Sequence, residues 1–125
     1  MSHFVTIQTQ IKDLNALRSA LKELGLSLFP QAQARGYENN TIKGDFVIRL
    51  NGPYDIALNK QPDGTYGMSC DWFMGHVERE VGKNYSKLLQ LYAAHKAMRE
   101  ARKKGYSVIR KAQADGAIKL TLVGV

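Results

Sequence analysis

The chain contains one cysteine, Cys70, in 125 residues. No internal disulfide can form, and a zinc site built from several thiolates is excluded. Sparing use of cysteine also suits a reducing, intracellular compartment. Prolines number three, and their wide spacing leaves no Pro-rich linker. No apolar run approaches the roughly 20 residues that a membrane-spanning helix needs. The start, Met1-Ser2-His3-Phe4, leads into alternating residues without the basic region and apolar run of a secretory signal. Internal repeats and low-complexity stretches are missing. So are His-Glu-x-x-His and Cys-x-x-Cys. These absences predict one soluble domain over 1–125, with no catalytic residue, metal or cofactor to assign.

What is present is a core-forming composition, 44% hydrophobic, and an uneven charge. The formal net charge is +7. Seven basic residues (Lys96, Arg99, Arg102, Lys103, Lys104, Arg110 and Lys111) and one acid, Glu100, fall between positions 96 and 111. The rest of the chain is close to neutral. The basicity therefore has an address: the end of a helix and the strand after it.

That helix is the strongest periodic signal. In Asn84–Gly105, Tyr85, Leu88, Leu89, Tyr92, His95 and Met98 recur at spacings of three and four and predict one apolar face. Asn84 or Ser86 is expected to cap its start and Gly105 to end it. His3–Gln10 alternates with apolar residues on both faces and predicts an interior strand. Asp13–Leu24 predicts a helix with a Leu14, Leu17, Leu21, Leu24 stripe, an acid suited to its first turn, and Gly25 after its end. Leu26–Gln33 holds Pro30 and reads as an edge or irregular segment, and Arg35–Lys43 as a loop or hairpin turn.

Three strands follow at Asp45–Leu50, Tyr54–Asn59 and Tyr66–Trp72, separated by Asn51-Gly52-Pro53 and Pro62-Asp63-Gly64 turns. Each puts apolar residues on one face and small or polar residues on the other. Gly75–Val81 reads as a helical lead-in. Tyr106–Ala112 and Ala117–Val123, joined at Ala114-Asp115-Gly116, read as a terminal hairpin. The predicted architecture is α+β: a two-layer sandwich of order β-α-β-β-β-α-β-β, with room for one extra short strand and two helices on one face of an antiparallel sheet.

MSHF with TIQTQIKDLNAL, then GDFVIRL, YDIALNK, Asp71-Trp72, YAAHK and ARKKGYSV before an Asp-Gly hairpin together resemble the hypothetical chloroplast reading frame thirty-five family of cyanobacteria, some plastids and other bacteria. At Phe73-Met74 the chain departs from the further bulky aromatic expected there. The resemblance covers nearly the whole chain and implies a domain of unknown function in a cyanobacterial cytoplasm or plastid stroma. It also implies a ferredoxin-like protein or a photosynthetic-complex component as a partner to consider.

Four constellations bear on function. The basic cluster reads as a solvated helix end, since cations favour a helix C-terminus, or as an anion-binding patch for an acidic protein or a nucleic acid. Only Tyr106 interleaves the bases, and no nucleic-acid-binding motif is present. Docking an acidic protein needs the patch alone. His95 on the apolar face reads as a structural histidine bonded to a carbonyl or tyrosine hydroxyl. With His3 and Asp71 it forms a conceivable polar cluster, while His76 is expected to be exposed. Cys70 lies on the apolar strand face, where a thiol is inert core. Asp45, Arg49, Asp55, Asn59, Ser69 and Asp71 line the other sheet face, where the small Ala57 and Gly67 leave room for a partner, unless cross-strand pairs such as Arg49 with an opposing Asp account for it. The expectation is a non-enzymatic accessory module, monomeric or homodimeric, docking an acidic protein. Nucleic acid is the alternative ligand, and an enzyme or metal site at His95 and His3 the third.

Overall fold

In the computed structural model, which describes residues 3–124, the sheet is built first by short turns. Strands β3 (Thr41–Arg49), β4 (Ile56–Lys60) and β5 (Tyr66–Cys70) form the expected antiparallel meander. β1 (Val5–Gln8) adds beside β5 and β2 (Ser27–Arg35) beside β3, giving the order β1-β5-β4-β3-β2. β2 is the extra strand that the pattern allowed for, but at nine residues it is not short, and β2 and β3 take up both ends of the Arg35–Lys43 stretch expected to be a loop or turn. β1 is an edge, not an interior strand. Its apolar alternation misleads because Phe4 packs over Gly36 instead of being covered by a neighbouring strand.

Helix α1 (Leu14–Glu23) starts where the Asp13 carboxylate accepts the Ala16 N–H at 3.0 Å. It ends with Gly25 in place and the Leu26 N–H bonded to the Leu21 carbonyl at 2.9 Å. After the short helix α2 (Glu78–Val81), the long helix α3 spans Ser86–Lys103. Neither Asn84 nor Ser86 caps it. Asn84 and Tyr85 both take positive φ, and no side chain bonds the first turn. Ile48, Ile56, Leu58, Met68 and Cys70 of the sheet share one core with Leu17 and Leu21 of α1 and with Tyr85, Leu88 and Tyr92 of α3. Both helices therefore cover the same sheet face.

The terminal hairpin, β6 (Ser107–Ala112) and β7 (Ile118–Val123), stays out of that sheet and forms its own two-stranded one. Its loop is the Ala114-Asp115-Gly116 turn, with Gly116 at φ +89° in the left-handed position that such a loop needs. The hairpin packs on α3. This explains why α3 also buries Ala94, Met98 and Ala101. At 100° per residue Ala94 and Ala101 lie opposite Tyr92, so α3 is buried on two sides.

The reverse sheet face is not open. The ladder between β2 and β3 lacks a Gln31–Asp45 pair, Gln31 has φ +46°, and a Cβ on Gly44 would stand 2.4 Å from the Phe46 carbonyl oxygen. The distal half of this hairpin bends there and folds across β3. Ala34 is thereby buried with Val47 and Ala57 in a small second core, and the Asp55 N–H reaches the Arg35 carbonyl at 3.0 Å. Gln61 lies where a side chain on Gly67 would stand. The room left by Ala57 and Gly67 is thus filled by the chain itself.

Asp55 is fully buried and anchors this closure. Arg35 grips it with Nε to Oδ2 at 2.7 Å and Nη2 to Oδ1 at 2.8 Å. The Arg35 and Leu50 N–H groups add bonds at 2.9 and 3.2 Å, and Arg49 Nη1 stands 3.4 Å away. Burial alone would push the carboxyl up. The Arg35 guanidinium and the two N–H groups outweigh it and hold the carboxyl below its ordinary value.

Asp55→Ala removes the acceptor of the Arg35 and Leu50 N–H groups and of two guanidiniums, Arg35 and Arg49, so it should destabilise by about 3 kcal/mol, read as a lower urea midpoint at unchanged slope. A carboxylate with a lowered folded value stabilises fully above its ordinary 3.8 and loses that contribution as pH falls through the lowered value. The gap between wild type and variant should therefore narrow on acidification below 3.8.

Candidate functional site

The seven cations predicted to act together separate into two groups. Three are tied to acids. Arg99 Nε meets Asp13 Oδ2 at 3.3 Å, and Lys96 Nζ meets Glu100 Oε1 at 2.8 Å one helical turn on. Arg110 bonds both oxygens of Glu23, Nη2 to Oε2 at 3.0 Å. Two of these acids, Asp13 and Glu23, come from α1, outside the basic stretch. The other four, Arg102, Lys103, Lys104 and Lys111, have no acid within ion-pair distance among the described residues.

The hairpin register shows where these four stand. Ile118 packs on the core and Arg110 reaches Glu23, so the set Val108, Arg110, Ala112, Ile118, Leu120 and Leu122 faces α3. The outer face carries Ser107, Ile109, Lys111, Lys119, Thr121 and Val123. Lys111 stands directly across from Lys119, a like-charge pair that destabilises a sheet by itself. Sequence reading missed Lys119. Its place follows only from the pairing register across the three-residue loop. Between these lysines and the Arg102-Lys103-Lys104 end of α3 lie exposed Ile109 (57%), Val123 (44%) and Tyr106 (41%). On the outer face Ile109 and Val123 alternate with Ser107 and Thr121 across the two strands, and the lysine pair lies one step beyond Ile109.

Glu23 holds this hairpin in place. Its Oε1 lies 2.6 Å from His95 Nε2; a carboxylate only accepts, so Nε2 carries the proton. One carboxylate therefore joins α1, α3 and β6. The Arg110 hydrogen bonds, followed by that of His95, outweigh partial burial and hold the Glu23 carboxyl below its ordinary value. The Gln90 side chain adds a bond to the Gly116 carbonyl at 2.9 Å.

The predicted His3, Asp71, His95 cluster does not form. His3 is exposed and His95 serves Glu23. Asp71, 1% exposed, accepts the Phe73 and Tyr37 N–H groups at 3.0 and 3.3 Å. No three His, Cys, Asp or Glu side chains converge as a metal would need among the described residues. His76 is half-buried edge-on to Tyr54, with ring centres 5.0 Å apart, not fully exposed. Cys70 is buried, receives the Tyr85 hydroxyl at 3.1 Å, and has its thiol pushed up to about 12 by burial. At neutral pH it is no nucleophile. Lys96 points elsewhere: it and Glu100 rim a groove of about 580 Å³ between α3 and the Gln8–Ile11 segment, walled by Tyr92, Ala93 and Ala97.

A family model described as "Protein of unknown function (DUF1257)" matches residues 20–121. The chain belongs to the DUF1257 family. It is 34% identical over 122 residues, 96% of this chain and 94% of the relative, to "Uncharacterized protein ycf35" of Pyropia yezoensis. It is 29% identical over 124 residues, 98% and 96%, to the protein of the same name from Guillardia theta. The resemblance to the chloroplast reading frame thirty-five family is thereby borne out. No solved structure matches. The DUF1257 match runs from the second half of α1 into β7, so both the Glu23 anchor and most of the hairpin lie inside it.

Glu23→Gln should loosen this part of the DUF1257 fold selectively. Amide exchange should quicken in β6 and β7 and stay unchanged in β3–β5. In the wild type the lowered Glu23 value means that the anchor is complete above 4.5 and fails as pH falls through the lowered value. Hairpin exchange should therefore rise, relative to the sheet, only below 4.5.

Proposed function

We propose that this chain is a non-enzymatic accessory module that docks an acidic protein partner, in a plastid stroma or cyanobacterial cytoplasm. The docking face is the outer side of the terminal hairpin with the basic end of α3. The observation that carries this reading is the set of five cations, Arg102, Lys103, Lys104, Lys111 and Lys119, with no acid at ion-pair distance among the described residues, near exposed Ile109, Val123 and Tyr106. An apolar centre with a charged rim is the usual anatomy of a protein-binding surface. Charge on the rim sets partner choice and association rate. Arg99, Arg110 and Lys96 of the original cluster are excluded from this face, because acids of the same chain already hold them.

The paired lysines favour an anionic ligand specifically. A fold that needed only a solvated hairpin would gain from an acid opposite Lys111; a second lysine there is compensated when an anion binds. A ferredoxin-like protein or a component of a photosynthetic complex is the partner to test first.

Affinity capture from cell extract with Arg102, Lys103 and Lys104 reversed to Glu should lose the acidic partner seen with wild type, whereas Arg99→Gln should retain it. An unchanged partner set in the triple reversal refutes the reading. Capture of RNA or DNA that falls steeply between 50 and 200 mM salt, on the order of 10³-fold or more, would assign the same face to nucleic acid instead.

A further inference from the structure

The strand edges of the molecule are not equivalent. β1 has four residues, too short for a long ladder. β2 carries Pro30 and the positive-φ Gln31, which break its regularity. β6 presents adjacent Arg110 and Lys111, and Arg110 ties it to α1. These are familiar ways of blunting a sheet edge. Among the described residues, β7 lacks proline, positive φ and an ion pair to another element, and its one charge, Lys119, lies on the outer face. Its six residues pair with β6 in six uninterrupted steps, without proline or bulge, and Ile118, Thr121 and Val123 are β-branched. Leu122 remains 51% exposed although it sits on the inner face. A two-stranded sheet of this size is marginal in isolation and gains from a third strand.

We infer, resting on the docking reading above, that the partner supplies an extended acidic strand that adds to the open edge of β7. Alternation fixes the chemistry of that strand. Its outward residues would stand beside Lys119, with Lys111 one strand further, and suit Glu or Asp. Its inward residues would cover Leu120 and Leu122 and suit Val or Ile. Main-chain hydrogen bonds provide the register and the charges provide the choice. A second copy of this chain is the poorer occupant. Pairing β7 with itself brings Lys119 towards its counterpart in a protein of net charge +7.

The test uses the whole protein and two synthetic peptides of equal charge, acetyl-(Glu-Val)₃-amide and the same peptide with every backbone nitrogen methylated. The first should bind at least tenfold more tightly than the second and slow amide exchange at the outward N–H groups of β7. Equal binding by both, without β7 protection, overturns strand addition while leaving the charged face as a docking surface. Failure of both to bind, with capture of the cellular partner still lost in the triple reversal, overturns it too. Protection of β7 that rises with protein concentration and without peptide gives the edge to a second copy and also overturns it. If Lys111→Glu with Lys119→Glu binds the peptide as wild type does, the charged-face reading itself falls.

Discussion

Helix α3 is covered on both sides, and the remaining structure is arranged by that constraint. Tyr85, Leu88, Leu91 and Tyr92 belong to the core over the five-stranded sheet, while Ala94, Met98 and Ala101 are buried further round the helix, which also packs against the terminal hairpin. α1 is pinned against the same helix at both ends. The Tyr92 hydroxyl accepts the Lys12 and Asp13 N–H groups at 3.0 and 3.1 Å, Arg99 pairs with Asp13, and His95 with Glu23. Of the cations in the second half of this helix, Lys96 and Arg99 meet acids while Arg102 and Lys103 sit exposed in its last turn. This division separates the structural arginines from the unpaired cations.

The reverse side of the sheet follows a different logic. Burying the Asp55 carboxylate is unfavourable until a cation and aligned N–H groups meet it. The distal half of the β2–β3 hairpin brings Arg35 to do so. Glu80 does similar work at the next turn, accepting the Asn51 and Gly52 N–H groups at 2.8 and 2.9 Å. Asp55 and Glu80 therefore close loops, as Asp13 and Glu23 fasten helices. None of these contacts places an acid near the outer face of the terminal hairpin.

Much of the fold could be read from residue patterns, because local rules decide those parts. Asp13 and Gly25 bound α1, Gly105 ends α3, and the Asp-Gly turn makes the last hairpin. Apolar alternation placed Ile48, Ile56, Leu58, Met68 and Cys70 on one face correctly. Long-range geometry was not legible. His95 looked like a core residue because helical periodicity cannot show that a carboxylate 72 positions earlier lies beside it. Asp55 looked like part of an open polar face because nothing local announces that β2 folds back over β3. The basic cluster looked uniform because sequence proximity hides which cations already have acids, and Lys119 lay outside it altogether. Leu91, Ala94 and Ala101 fell off the predicted stripe because that stripe assumed one buried face for a helix that has two.

The proposed docking surface is kept at some expense to stability. Paired lysines across a hairpin repel, and function is a common reason for a fold to tolerate such a contact. The most direct measurement is the urea midpoint of Lys119→Glu alongside its capture of the acidic partner. A higher midpoint together with lost capture is predicted, since the substitution gives Lys111 an opposite charge and removes part of the docking face. A lower midpoint with capture intact would show that Lys119 serves the fold, and would contradict the account.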